Sequence, residues 1–136
     1  EPEICFINLQ QLIQVACAYV KHCVAGVLKN CRKDITLTMG KSLVEDFPER
    51  KQYKQLVLER DQRIAQLQQF VDQDFQIISY SQAISILENH QREGVKFQEP
   101  VSWGIDMISE HEKFLTDFEF NCPVVVHSYP ADIKAF

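Results

Sequence analysis

No G-x-x-x-x-G-K-[ST] loop, no H-E-x-x-H and no G-x-S-x-G occurs anywhere in this chain, and glycine is scarce, at four residues in 136. These absences exclude the usual phosphate-cradling loop, the zinc-protease helix and the serine-hydrolase elbow, each of which needs its residues at fixed spacing. Positive charge is also short, with 14 Lys and Arg against 19 Asp and Glu, a net charge of −5. A broad cationic surface is therefore missing, which argues against independent, charge-driven binding of a polyanion and leaves any RNA partner to be held mainly by parts outside this chain. No C-x-x-C pair exists among the five cysteines, Cys5, Cys17, Cys23, Cys31 and Cys122, and their odd number does not suit a disulfide framework. Cys17, Cys23 and Cys31 fall among apolar neighbours in one predicted helix, so buried thiols in a reducing compartment are expected. His22, His90, His111 and His127 are scattered without metal-ligand spacing. No run reaches the roughly 18 consecutive apolar residues that suggest a membrane span, and no signal peptide opens the chain.

What is present suits one modest core, since 46% of the 136 residues are hydrophobic. "EPEICF" opens inside an apolar run and "YPADIKAF" closes without a turn or cap, so both ends are expected to be internal to a larger enzyme. "EICFI" (3–7) reads as a strand. Asn8 with Gln11 forms a capping-box signal, and Leu9, Leu12, Ile13, Ala16, Val20, Cys23, Val27, Leu28 and Cys31 recur at helical spacing behind it. A short strand is possible at "ITLTM", and Gly40 and Pro48 act as breakers after it. From Pro48 to Gln73 the composition turns to Glu, Gln, Lys and Arg, with Tyr53, Val57, Ile64, Leu67 and Val71 near heptad spacing. That pattern predicts a long helix with a thin apolar stripe, an arm or a surface helix. "FQIISY" (75–80) reads as a strand, and Ser81 as the cap of a helix that Gly94 ends. Ser109 with Glu112 suggests a second capping box before a short helix, and "PVVVHSYP" a buried strand between Pro123 and Pro130. The order of elements predicts an α+β piece.

Polar groups that could carry chemistry sit in three places. Glu1 and Glu3, at i and i+2 of a strand, would share a face and could receive an ammonium or amide; solvated strand-end glutamates fit the same pattern. Glu110, His111 and Glu112 point in different directions on a helix and do not converge on a metal ion. Lys134, past the last strand, offers a cation for a carboxylate, or is a solvated surface lysine.

Four blocks in order, "EPEICF", "FQIISYSQAISIL", "WGIDMISEHEKFL" and "PVVVHSYPADIKAF", resemble the class II asparaginyl-tRNA synthetases. Members of that family carry a V-E-P-E-I-A-F-like strand, an I-S-Y-x-E-A-I helix start, a W-G-x-D-L-x-x-E-H-E segment and a P-V-x-V-x-x-Y-P-x-x-I-K-A-F-Y-M strand. Met107 replaces the usual Leu and Gln82 the usual Glu, and residues 32–73 have no strong match and look like a lineage-specific helical insertion. The resemblance implies that residues 1–136 are a fragment of the catalytic domain, an antiparallel sheet flanked by helices, running from the second strand of motif 2 to just before motif 3. It implies ATP-dependent activation of asparagine and its transfer to tRNA(Asn), with ATP and Mg2+ bound mainly by segments outside this fragment, which alone would be inactive. It further implies a cytoplasmic, non-membrane parent, an organelle being the alternative compartment, that dimerises through a region not present here. Glu1 matches the acid at the floor of the amino-acid pocket, Glu3 a supporting acid on the same strand, and Lys134 a pocket-lining cation; His111 receives no contact from the resemblance. The competing readings are an aspartyl-tRNA synthetase or an asparagine synthetase-like paralogue, and a non-catalytic interaction module using the 48–73 helix.

Overall fold

The computed structural model describes residues 3–35 and 50–134, without the side chains of residues 50–57 and 59. Glu1, Gly40, Pro48 and all of "ITLTM" but Ile35 lie outside the described residues, as do the side chains of Tyr53 and Val57. The chain divides into two compact units, Glu1–Gln73 and Asp74–Phe136.

The first unit is helical. Helix α1 spans Leu9–Asn30, and its start is the predicted capping box: the Gln11 N–H donates to the Asn8 side chain at 2.9 Å, and the Asn8 N–H to Gln11 Oε1 at 2.9 Å. Two of the free amides at the helix start are thereby satisfied reciprocally. Helix α2 spans Arg50–Asp72, and the two helices pack on each other. Ile13 is buried, whereas Leu9, Leu12, Val15, Tyr19, Val20 and Val27 are exposed, because a single described helix covers only one side of α1. For the same reason the expectation of buried thiols fails: Cys17 and Cys31 are half-buried and Cys23 is exposed. By length and composition α1 would suffice to cross a membrane, although Gln14, Lys21 and His22 interrupt its apolar sequence.

The predicted strand at residues 3–7 does not form. Cys5 and Phe6 make a turn, Phe6 has φ +62°, and these residues have no partner strand among the described residues. A strand is stable only when its backbone groups are paired, so β-propensity alone does not decide this stretch.

The second unit carries the sheet. Strands β1, Gln76–Ser79, and β2, Val124–His127, pair with Gln76 opposite Val124 and Ser79 opposite His127. The pairing is parallel, where antiparallel neighbours were expected. Residues 80–123 explain it: parallel neighbours need a long crossover, and this one holds helix α3, Tyr80–Arg92, helix α4, Ser109–Lys113, and a π-helical turn, Phe114–Glu119. In α3 the buried residues Tyr80, Ala83, Ile84 and Leu87 follow the i, i+3, i+4, i+7 stripe of a helix with one face on a core. They join Ile78, Val101, Met107 and Leu115 in one cluster. Each fully buried Ile or Leu there contributes about 1.5–3 kcal/mol.

Two caps differ from the sequence reading. Helix α3 is capped by Ser79, two residues before Ser81: its Oγ accepts the Gln82 N–H at 3.3 Å, and Gln82 Oε1 accepts the Ser79 N–H at 2.8 Å. The glutamine found where a glutamate is usual still closes the box, since either side chain supplies the oxygen. Gly94, with φ +107°, lies just past Glu93 and ends the helix as expected. Helix α4 starts after Ile108, so Ser109 is already helical and its hydroxyl caps nothing; His111 Nδ1 accepts the Ile108 N–H instead, at 3.4 Å. Ser79→Ala should lower stability by about 1 kcal/mol and Ser81→Ala by less than half of that. Urea unfolding measures both, and a larger loss at Ser81 would restore the sequence-based cap.

Candidate functional site

Lys134 ends the described chain beside residues from three other parts of the second unit. After β2, Ser128 takes φ +57°, a left-handed conformation that costs a residue with a side chain roughly 1–2 kcal/mol. The chain thereby leaves the strand direction, and the Tyr129 ring lies 5.2 Å from the ring of Tyr80, tilted by 44°. Pro130 then leads into a short 3-10 turn, Ala131–Ile133, closed by the Ile133 N–H on the Pro130 carbonyl at 3.2 Å. That turn brings Lys134 back over Tyr129, with Nζ 4.6 Å from the ring centroid, within cation–π range.

Asp106 completes the group. Lys134 Nζ donates to Asp106 Oδ1 at 2.9 Å, and both side chains are exposed. The loop that carries Asp106 is held from beneath: the Tyr80 hydroxyl accepts the Gly104 N–H at 2.9 Å and donates to the Ile105 carbonyl at 2.7 Å. Gly104 has φ +97°, a conformation that favours glycine. Trp103 stands edge-on to Tyr80 at 6.1 Å, and its Nε1 donates to Ser81 Oγ at 3.2 Å. The serine read as a helix cap thus serves the loop. Chemically, the group presents a fixed ammonium and a carboxylate side by side over an aromatic floor, so one small molecule could meet donors and acceptors together.

Electrostatics follows from these contacts. Burial pushes the Tyr129 phenol above its ordinary 10.0, against the lowering effect of Lys134, with Glu112 and Asp106 adding to the rise. The hydrogen bond to Asp106 raises Lys134 above its ordinary 10.5. Lys134 is therefore cationic at neutral pH, held in place by the pair, and the phenol is neutral.

Of the sequence-predicted residues, Lys134 alone is placed in this group. Glu1 lies outside the described residues. Glu3 is exposed, lies just before the turn at Cys5 and stands on no strand. His111 is wholly buried: Nε2 donates to the Glu99 carbonyl at 2.9 Å, Nδ1 accepts from Ile108, and Phe97 meets the ring edge-on at 5.3 Å. Both ring nitrogens are committed, which makes it a tie between the 97–101 loop and α4. Gln91 does the same further along, its side chain exchanging two hydrogen bonds with the backbone of Val101, at 2.8 and 3.3 Å. Asp106, Tyr80 and Tyr129 were missed; the W-G-x-D block contained Asp106, but no spacing in the chain announces its pairing with Lys134. Among the described residues there is no group of three or more His, Cys, Asp or Glu that could hold a metal ion.

Two outcomes check this geometry. His111→Ala should cost about 2–4 kcal/mol in denaturant unfolding, since it opens a cavity and leaves the Glu99 carbonyl and the Ile108 N–H unpaired. The second concerns alkaline pH. Tyr129 and Lys134 both bind their protons more tightly when folded, so the stability they contribute is complete below pH 10 and is lost as pH rises through their raised values. Thermal midpoints recorded between pH 9 and 11 should fall more steeply in the parent sequence than in Tyr129→Phe; equal slopes would contradict the assignment.

No family model matches the chain. Among curated proteins, it is 38% identical over all 136 residues to the asparagine–tRNA ligases of Escherichia coli O157:H7, Escherichia coli O9:H4 (strain HS) and Shigella flexneri. Each match takes in 100% of this chain and 25% of the relative, so the chain spans about a quarter of the length of the proteins it resembles. Residues 32–73 lie inside the matched span. The four sequence blocks and the match over all 136 residues agree: the chain is similar from end to end to one part of an asparagine–tRNA ligase.

Proposed function

We propose that the chain is a segment of the catalytic domain of an enzyme that activates asparagine with ATP and joins it to tRNA(Asn). The observation that carries this reading is the 38% identity to asparagine–tRNA ligase running from the first residue to the last. In this reading the segment extends from the second strand of the motif 2 hairpin to just short of motif 3. Residues 32–73 are a helical insertion, one shared with the relatives, because the match continues through it. The strands β1 and β2 are a parallel pair within a wider, mostly antiparallel class II sheet whose other strands lie elsewhere in the protein. ATP and Mg2+ are handled by those other segments, the parent is a cytoplasmic homodimer, and its dimer interface lies outside these residues.

Glu1 and Lys134 line the amino-acid pocket, with Glu3 supporting Glu1. Lys134 has three N–H donors, and the contact with Asp106 uses one. The remaining donors are free to meet an oxygen of the amino acid, and the neighbouring carboxylate takes an N–H of the same ligand. An amide carries both an acceptor and donors, so such a pair suits the asparagine side chain. A second carboxylate placed there would meet Lys134 but be repelled by Asp106. Specificity of this kind rests on leaving the wrong ligand with an unpaired or repelled charge.

The reading is tested by ATP–pyrophosphate exchange in the full-length protein with asparagine and aspartate compared. Asparagine should support exchange and aspartate should not. Glu1→Gln and Lys134→Ala should each lower kcat/KM for asparagine on the order of tenfold or more, the scale of one charge-assisted hydrogen bond, with little change in thermal midpoint. Exchange driven by aspartate would favour the aspartyl reading. Absence of exchange with either, joined to loss of association when residues 48–73 are deleted, would favour an interaction module.

A further inference from the structure

We propose that Tyr80 is a positioning residue for the Asp106–Lys134 pair, holding both partners from a buried position without touching the amino acid itself; the proposal rests on the reading of this pair as part of the asparagine pocket. The pair joins residues 28 apart in sequence, and both side chains are exposed, so neither burial nor the chain holds it together. Tyr80 is 0% exposed and reaches both halves. Its hydroxyl bonds to the backbone at Gly104 and Ile105, the two residues that lead into Asp106, which fixes where that carboxylate leaves the loop. Its ring supports Tyr129, and the ring of Tyr129 lies under the Lys134 ammonium. A single side chain therefore sets the distance between an acid and a base that an amino acid would have to bridge. A misplacement of about 1 Å at such a contact costs up to about a hundredfold in rate.

The hydroxyl can be removed without the ring. Tyr80→Phe keeps the packing against Tyr129 and Trp103 and leaves the Gly104 N–H and the Ile105 carbonyl without their partner. Gly104→Ala reaches the same hydrogen bond from the loop side: an added Cβ meets nothing within 4 Å, but φ +97° strains it, so any effect passes through the backbone. Two readouts apply to the full-length protein. In asparagine-dependent exchange, Tyr80→Phe should raise KM for asparagine about tenfold while changing kcat less than about threefold, a split that general loss of folded protein does not produce. Independently of activity, the rate at which acetic anhydride labels Lys134, followed by peptide mass spectrometry, should rise up to about fivefold in Tyr80→Phe and Gly104→Ala. That rise matches the one in Asp106→Asn, because an unpaired amine is the more reactive.

A wild-type rate of Lys134 labelling in Tyr80→Phe, alongside a raised rate in Asp106→Asn, would overturn the proposal, as would no rise in Asp106→Asn. If Tyr80→Phe proves insoluble, Gly104→Ala decides by the same measure. No exchange with asparagine in the parent protein would overturn the functional reading instead, and the labelling rates would then judge the positioning role alone.

Discussion

Burying a tyrosine removes its hydroxyl from water, and that atom must find partners inside the protein or cost a few kcal/mol. Tyr80 solves this by donating to one backbone group and accepting from another in the same loop. The consequence reaches well beyond one side chain. The 103–106 loop has no helix or strand to hold it, yet its path is set because the core of the second unit cannot close without it. Tyr80 is also the first residue of α3, directly after the Ser79 cap, so the end of β1, the start of the helix and the loop meet at a single place. Tyr129, which follows β2, packs on the same ring. Parallel pairing makes this meeting possible, since it puts the carboxyl ends of β1 and β2 at the same edge.

The polar ties in this unit share a pattern. Tyr80, Gln91, His111 and Glu110 each use a side chain to satisfy backbone groups of the stretch between α3 and α4. That stretch spans 93–108 and has little regular structure, so its amides and carbonyls need partners from elsewhere. Side chains on two helices supply them, which holds an irregular segment firmly enough to present Trp103 and Asp106 at the surface. The first unit works differently. It is held by the packing of α1 on α2, and it leaves much of the apolar face of α1 uncovered.

Legibility in the sequence followed the range of the interactions involved. The Asn8–Gln11 box, the span of α1, the strand at residues 76–79 and the helix end at Gly94 were all readable, because each depends on residues within a few positions of one another. The caps of α3 and α4 were misplaced by one or two residues, since Ser79 and Ser81, or Ile108 and Ser109, stand so close that pattern alone does not choose between them. The strand at residues 3–7 was wrong for a different reason: its propensity was sound, but pairing was lacking among the described residues. Lys134 drew attention by its place past the last strand and by the family resemblance, whereas its partner Asp106 did not, although it lies inside one of the quoted blocks. Nothing local marks Asp106 as the partner of a lysine 28 residues away.

The sequence by itself determined the likeness to asparaginyl-tRNA synthetases, the mixed helix-and-strand composition and the local start and stop signals, because each is written in residue identity at short spacing. Tertiary structure decided the parallel direction of the two strands, the burial of His111 as a tie, and the meeting of Tyr80, Asp106, Tyr129 and Lys134. Those outcomes depend on which surfaces close on one another, and a buried hydroxyl or an exposed ammonium takes its role from the neighbour that folding delivers.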